Sequence, residues 1–281
     1  MKIGVIGLGL IGGSIAKAIK HNTAHTVLGM DLSQEVVLKA KLIEAIDEVL
    51  TEEKISTCDM IILAIYPHAT IEFVKSHAER FQKEAVILDC CGIKREVYEG
   101  IRPIAAKYGF TYVGAHPMAG LEFSGFEHSK ESLFQKAAMI LTPDSTVSIG
   151  TTEMLKKLFL SIGFSTITIS TPEEHDRMIA YTSQLAHVLS SAYIKSKAAE
   201  NHFGFSAGSF KDMTRVARLN EKMWTELFLE NRDNLLSEVE GLINNLQSYA
   251  DALRDRDEKT LFALLKEGRE RKAMIDGEGN S

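Results

Sequence analysis

The side chain best suited to acid–base work is His116, in the segment Gly114-Ala-His-Pro-Met-Ala-Gly-Leu-Glu-Phe-Ser-Gly125. Pro117 pushes the histidine before it towards extended backbone, and Gly114, Gly120 and Gly125 let a ligand approach closely. An imidazole titrates near neutrality, so it suits removal of an alcohol proton while hydride leaves the same carbon. A second set of residues provides for the hydride acceptor. Gly7-Leu8-Gly9-Leu10-Ile11-Gly12 has G-x-G-x-x-G spacing, and Asp31 follows nineteen positions after Gly12. Such glycines give a tight turn, close approach to a pyrophosphate and close helix-on-strand packing, and the acid takes a ribose 2′-hydroxyl. An aspartate repels a 2′-phosphate, and residues 31–35 hold no arginine to receive one, so NAD is expected rather than NADP.

Lys2–Ile6 is a short, β-branched run with no polar interruption after the lysine, as for a strand buried on both faces of a parallel sheet. It leads through the glycines into a helix over Leu10–Lys20, whose N-terminal amides and dipole favour an anion, and then into a strand over Thr26–Met30. Strand signals recur at 59–65, 85–89, 112–114, 137–141 and 165–169, with helical patterns at 33–41, 67–81, 93–108 and 147–162. This alternation predicts an α/β Rossmann-like doubly wound sheet over residues 1–170. From Thr171 only helical patterns follow, at 172–200, 209–218, 220–254 and 257–275, so residues 171–281 are expected to form an all-helical domain. The first of these carries an almost continuous apolar and small-residue stretch from Met178 to Tyr193. A helix apolar most of the way round must be buried, which predicts a homodimer made through the helical domain. Residues 277–281 read as a disordered tail.

Composition narrows the classes. A net charge of −6 over 281 residues offers no general attraction to nucleic acid or an anionic membrane. The longest apolar run, Met60–Tyr66, is too short to span a bilayer. Lys2 followed by Ile3–Ile15 could pass for a signal peptide, but the glycines would have no purpose there and no cleavage site follows. Of three cysteines, Cys90 and Cys91 are adjacent, which argues against a disulfide framework and for a reducing cytoplasm. They read as small buried hydrophobes. Redox sensing is the alternative, and without a Cys/His partner set no metal is expected.

Gly7-Leu-Gly-Leu-Ile-Gly-Gly-Ser14, the histidine segment 114–125, Ser183-Gln-Leu-Ala-His187, Phe210-Lys-Asp-Met-Thr-Arg-Val-Ala217 and Met223-Trp224 together resemble the prephenate dehydrogenase family, collinearly over almost the whole chain. The resemblance implies oxidative decarboxylation of prephenate to 4-hydroxyphenylpyruvate with NAD in tyrosine biosynthesis, in a cleft between the domains, by a dimer. On it, His116 is the catalytic base and Arg215 the substrate-binding arginine, whose planar fork suits a carboxylate. Glu122 is the acid that helps orient that arginine, and His187 stands at the side-chain end of the substrate. Taken alone, Arg215 reads as a surface charge, His187 as a core histidine and Trp224 as helical core. Gln184 stands where some relatives have a second histidine. At Asp89-Cys-Cys-Gly-Ile-Lys94 the chain departs from the family: Gly92 replaces a serine whose hydroxyl helps hold the ring hydroxyl and the histidine. A water, a backbone N–H or Cys91 could stand in.

Three rival readings remain. Arogenate dehydrogenase differs only at the side-chain end of the substrate. A β-hydroxyacid dehydrogenase would use a lysine of the helical domain, with Lys211 the candidate, but leaves the histidine segment without a purpose. A non-catalytic NAD-binding sensor leaves His116, Glu122 and Arg215 unexplained. The chain stops soon after the helical domain, so no separate tyrosine-sensing module is expected.

Overall fold

The computed structural model describes residues 1–121 and 123–277. Eight strands form one sheet: β1 (Lys2–Ile6), β2 (Thr26–Met30), β3 (Glu48–Val49), β4 (Met60–Leu63), β5 (Val86–Asp89), β6 (Thr111–Pro117), β7 (Ala138–Thr142) and β8 (Thr166–Ile169), in the order β3-β2-β1-β4-β5-β6-β7-β8. Every neighbouring pair is parallel except β6 with β7. Helices α1 (Leu10–Asn22), α2 (Gln34–Leu42), α3 (Pro67–His77), α4 (Arg95–Tyr108) and α5 (Ile149–Ser161) connect them.

Strand side chains alternate between two cores, as the pleat requires. Ile3, Val5, Met60, Ile62 and Leu88 pack with Ile15 and Ile19 of α1 and Phe159 of α5. Ile6, Ile61, Leu63 and Ile87 pack on the other face with Val74 of α3 and Val97 and Ile101 of α4. Helices on both faces explain why β1, β4 and β5 are apolar at nearly every position. The chain turns one way from β1 to reach β2 and the other way to reach β4, so the carboxyl ends of β1 and β4 flank the crevice where open α/β sheets bind ligands.

The strand that ends at Gly114 by its sequence pattern continues to Pro117. His116 is therefore not in a loop: it pairs with Ile140 of the antiparallel β7. The two-residue β3 is shorter than any periodic pattern can reveal.

The helical region is more broken than its periodicity suggests. The helix expected over 172–200 comprises α6 (Pro172–Ile179), a π-helical turn (Ala180–Gln184) and α7 (Leu185–Tyr193), with a separate 3₁₀ turn at Lys197–Asn201. There follow α8 (Gly208–Thr214), α9 (Glu221–Glu230), α10 (Arg232–Asp255) and α11 (Glu258–Ile275). The single helix expected over 220–254 is interrupted at Asn231, which leaves helical geometry at φ −114°, ψ 29°. Its buried amide donates instead to Asp176 O and Gln184 Oε1, both at 2.8 Å.

The described residues form two compact units, one up to residue 232 and one from 233 to 277; residues 278–281 of the expected tail lie outside the described residues. The first holds the sheet and the helices through α9. In the second, α10 and α11 are joined at Arg256, with φ 53°, and Asp257 caps α11 by accepting from Thr260 N at 3.0 Å. Leu236, Ile243, Leu246 and Leu253 of α10 are exposed at heptad-like spacing. Among the described residues, no helix is long and apolar enough to cross a membrane.

Candidate active site

The glycine turn has the geometry its spacing requires. Gly7 has φ +84°, and a Cβ there would lie 2.6 Å from Ala64 O. A Cβ on Gly12 would lie 1.8 Å from Gly7 O, so only glycine lets α1 close against the turn. A Cβ on Gly9 would meet nothing within 4 Å, which leaves space on the side where a ligand would come. Amides in the first turn of a helix lack intrahelical partners, so those of Leu10 and Ile11 are suited to a phosphate. Leu8 is fully buried in the core, and its N–H donates to Asp31 Oδ2 at 2.7 Å. Asp31 Oδ1 also accepts from Ser33 N at 2.9 Å. A carboxylate offers about four lone-pair sites, so Asp31 is held in place and can still accept from a ribose hydroxyl. These residues fit a dinucleotide.

His116 lies at the same edge of the sheet. Gly114 is paired with Asp89, the last residue of β5, so the histidine two positions later stands beyond the end of that strand. Under it lies a buried charge pair: Lys94 Nζ donates to Asp89 Oδ1, and Tyr112 Oη donates to Asp89 Oδ2 at 2.7 Å. Beside it lies α6. His116 Nδ1 is 2.9 Å from His175 Nε2, and His175 Nδ1 is 2.7 Å from Asp176 Oδ1. Asp176 also accepts from Lys94 N at 2.7 Å and Arg95 N at 2.9 Å, so it caps the N-terminus of α4, whose own N-cap residue supplies no side-chain bond. Burial, then the His175 ring and the Lys94 charge, hold His116 well below the usual histidine range. Burial lowers His175 as well, against the pull of Asp176. Both rings are therefore neutral at neutral pH, and His116 is able to accept a proton.

The second group forms further along the long helix. His187 Nδ1 is 3.1 Å from Val216 O, and its ring lies 3.9 Å from that of Trp224. Burial and the nearby Arg215 charge lower its pKa. Arg215 follows α8 with its side chain exposed and, among the described residues, forms no ion pair, so its guanidinium can take an anion. His175 and His187 are twelve positions apart. In an uninterrupted α-helix that spacing separates side chains by about 120°. The π turn between them absorbs one residue, which leaves about 20°, so both histidines face one side of the helix.

Gln184, at the end of the π turn, is fully buried: its Nε2 donates to Leu227 O at 3.0 Å and its Oε1 accepts from Asn231. It fastens the turn to α9. Trp224 does more than fill the helical core, since it packs directly on His187. A Cβ on Gly92 would touch only the Leu227 methyl groups, at 3.5 and 3.6 Å, so space does not dictate glycine there. Cys91 Sγ is engaged away from His116, 3.5 Å from both Thr70 Oγ1 and Ile65 O. Burial pushes the Cys91 thiol up and that of the partly buried Cys90 to about 12, which favours the protonated thiol at both. Lys211 is exposed on α8. Glu122 lies outside the described residues. Among those residues, no three His, Cys, Asp or Glu side chains could hold a metal ion.

Sequence reasoning missed His175, Asp176 and the Asp89–Lys94 pair. The available signal was faint: a histidine and an acid four and five positions after Thr171, and a lone lysine five positions beyond the acid that ends a buried strand.

Residues 15–168 match the family model for prephenate dehydrogenase, nucleotide-binding domain, and residues 171–267 match that for prephenate dehydrogenase, dimerization domain. The chain is 31% identical over 270 residues to a prephenate dehydrogenase of Bacillus subtilis, covering 92% of this chain and 72% of that protein. It is 28% identical over 282 residues to a cyclohexadienyl dehydrogenase of Zymomonas mobilis, covering 97% and 95%. Among solved structures, prephenate dehydrogenase from Aquifex aeolicus in complex with hydroxyphenyl propionate and NAD+ superposes with a TM-score of 0.86 at 26% identity, covering 98% of each chain.

Proposed function

We propose, from the premise that this chain belongs to the prephenate dehydrogenase family and is an NAD-dependent oxidoreductase, that it converts prephenate to 4-hydroxyphenylpyruvate and carbon dioxide in tyrosine biosynthesis. The observation that carries the reading is a neutral His116 standing beyond the end of β5, hydrogen-bonded to His175 at the sheet edge that also bears the glycine turn. From β1 to β6 across β4 and β5 is three strand spacings, about 14 Å, a distance that an extended dinucleotide can span.

NAD supplies the hydride acceptor. Gly7, Gly9 and Gly12, with the amides of Leu10 and Ile11, hold its pyrophosphate; Leu8 holds Asp31, and Asp31 takes the ribose. His116 accepts the proton of the ring hydroxyl as hydride leaves the same carbon. The electrons of the carboxylate bond then move into the ring, carbon dioxide departs, and the aromatic oxygen recovers its proton from His116. Arg215 holds a substrate carboxylate, Glu122 orients Arg215, and His187, steadied by Trp224 and Val216, lies at the side-chain end. Residues 171–281 complete the substrate site and form a homodimer, with 1–170 binding the cofactor; the matched family segments meet at 168 and 171, which supports that division. The exposed stripe on α10 supports the dimer. A cytoplasmic location is supported by an odd number of cysteines, two of them adjacent and all three free.

The test is NADH formation by the purified protein with prephenate and with arogenate, each repeated with NADP. Turnover of prephenate with NAD supports the assignment, and turnover of arogenate alone would replace the substrate. That second reading has support from the similarity to a cyclohexadienyl dehydrogenase. Turnover of neither substrate would leave an NAD-binding sensor.

A further inference from the structure

The reaction above uses His116 and leaves His175 and Asp176 without a role. Both are fully buried, although each could have been solvated at the start of a surface helix. Asp176 Oδ1 accepts from Lys94 N, and Asp176 Oδ2 accepts from Arg95 N with Arg95 Nε also 3.4 Å away. All these neighbours are donors, so Asp176 acts as an acceptor, and the proton in its 2.7 Å contact with His175 must sit on His175 Nδ1. A neutral His175 then offers Nε2 as an acceptor only. The 2.9 Å contact between His175 Nε2 and His116 Nδ1 holds one proton, which therefore belongs to His116 Nδ1. One lone pair remains on His116, at Nε2.

We propose that His175 and Asp176 are positioning residues that fix His116 in its Nδ1–H tautomer, so that Nε2 is the basic nitrogen, and that His175 takes up the Nδ1 proton when Nε2 receives one from the substrate. The proposal rests on the functional reading above. It follows the logic by which an acid fixes the tautomer of a catalytic histidine, extended by one ring. Protons move one place along the chain: substrate oxygen to His116 Nε2, and His116 Nδ1 to His175 Nε2. His175 Nδ1–H stays against the Asp176 carboxylate. No electrons are exchanged, and the positive charge rests beside a carboxylate rather than on the ring that faces the substrate.

The test is a long-range 1H–15N correlation spectrum of the full-length protein labelled with 15N-histidine, assigned with H116Q and H175Q. The expected result at neutral pH is a protonated Nδ1 and a lone-pair Nε2 on His116; a protonated Nε2 would overturn the proposal. Kinetics give an independent readout. His175→Leu removes the acceptor and is expected to lower kcat about 10- to 100-fold, inside the ~100- to 10,000-fold contribution of a general base, with KM within about twofold. His175→Gln places an amide oxygen near the position of Nε2, which can hold the tautomer but cannot take up the proton, and is expected to recover only part of that loss. Equal impairment of the two variants, or full activity in His175→Leu, would refute the role. A wild-type protein that shows the Nδ1–H tautomer yet turns over neither prephenate nor arogenate would retain this proposal and reject the substrate assignment.

Discussion

Lys94 and Asp89 face each other where water does not reach: their side chains are 1% and 0% exposed, and Tyr112 closes the remaining oxygen of the aspartate. Removing one partner leaves a buried charge uncompensated, at a cost of about 3–5 kcal/mol, whereas replacing both with apolar groups can be neutral. Lys94→Met is expected to lower stability to urea by about that amount, and the double variant Lys94→Met/Asp89→Leu to regain much of it. Equal stabilities for the single variant and the wild type would show that the pair contributes nothing to folding.

If His116 is the base, the groups facing it set the acid side of the activity. His175 and Asp176 approach from α6, Lys94 and Asp89 from the end of β5 and the segment after it, and Tyr112 lies on its own strand. Burial is the largest cause of the lowered pKa, followed by His175 and Lys94. The basic form therefore persists as the pH falls through the ordinary histidine range near 6.5. The acid limb of kcat/KM is expected below about pH 6.5 in wild type, and at higher pH once Lys94 is replaced by methionine. A wild-type limb above that range would contradict the assignment of His116 as the base.

His116 and Arg215 should fail differently. His116→Asn is expected to cut kcat about 100- to 10,000-fold with little change in NAD affinity. On the proposed role, Arg215→Ala would remove a charge-assisted contact worth about 1.5–3 kcal/mol, so KM for the substrate should rise about 10- to 100-fold with a smaller effect on kcat. Steady-state kinetics and NAD titration separate the two. An unchanged KM in Arg215→Ala would exclude that residue from the substrate site.

Gly92 offers a gain-of-function test. A serine Cβ would make ordinary contact with Leu227 and nothing else, so Gly92→Ser should fold with stability within about 1 kcal/mol of wild type. One added hydrogen bond to the reacting hydroxyl or to His116 is worth about 1 kcal/mol, and turnover should rise about fivefold. A fall in turnover would mean that the protein already fills this position by another route.

The sheet and its glycine turn were legible in the sequence because their causes are local. Ile3, Val5 and Ile62 alternate with residues of the opposite core, and Gly7 and Gly12 stand where any Cβ would collide with backbone. His116 was legible through its neighbours Gly114 and Pro117. Its partner was not, because His175 lies 59 positions away, and one more acid just after Glu173 and Glu174 near the start of a helix reads as ordinary dipole stabilisation. The π turn and the break at Asn231 were hidden for the same reason: both depend on buried amide bonds among Asp176, Gln184, Leu227 and Asn231 that form only when α6 and α9 meet. Apolar periodicity carries no trace of them.

The π turn also makes the helix act as a ruler. Because it realigns His175 and His187 without cutting the rod between them, the two rings keep a fixed separation along the axis, about 16 Å at 1.5 Å per residue. A tilt of this rod that brings His187 closer to a bound molecule must also move His175 relative to the sheet, where it grips His116. On the proposed roles of His116 and His187, the group that meets the substrate's side-chain end and the group that steadies the base would therefore sit on one helix at a set spacing.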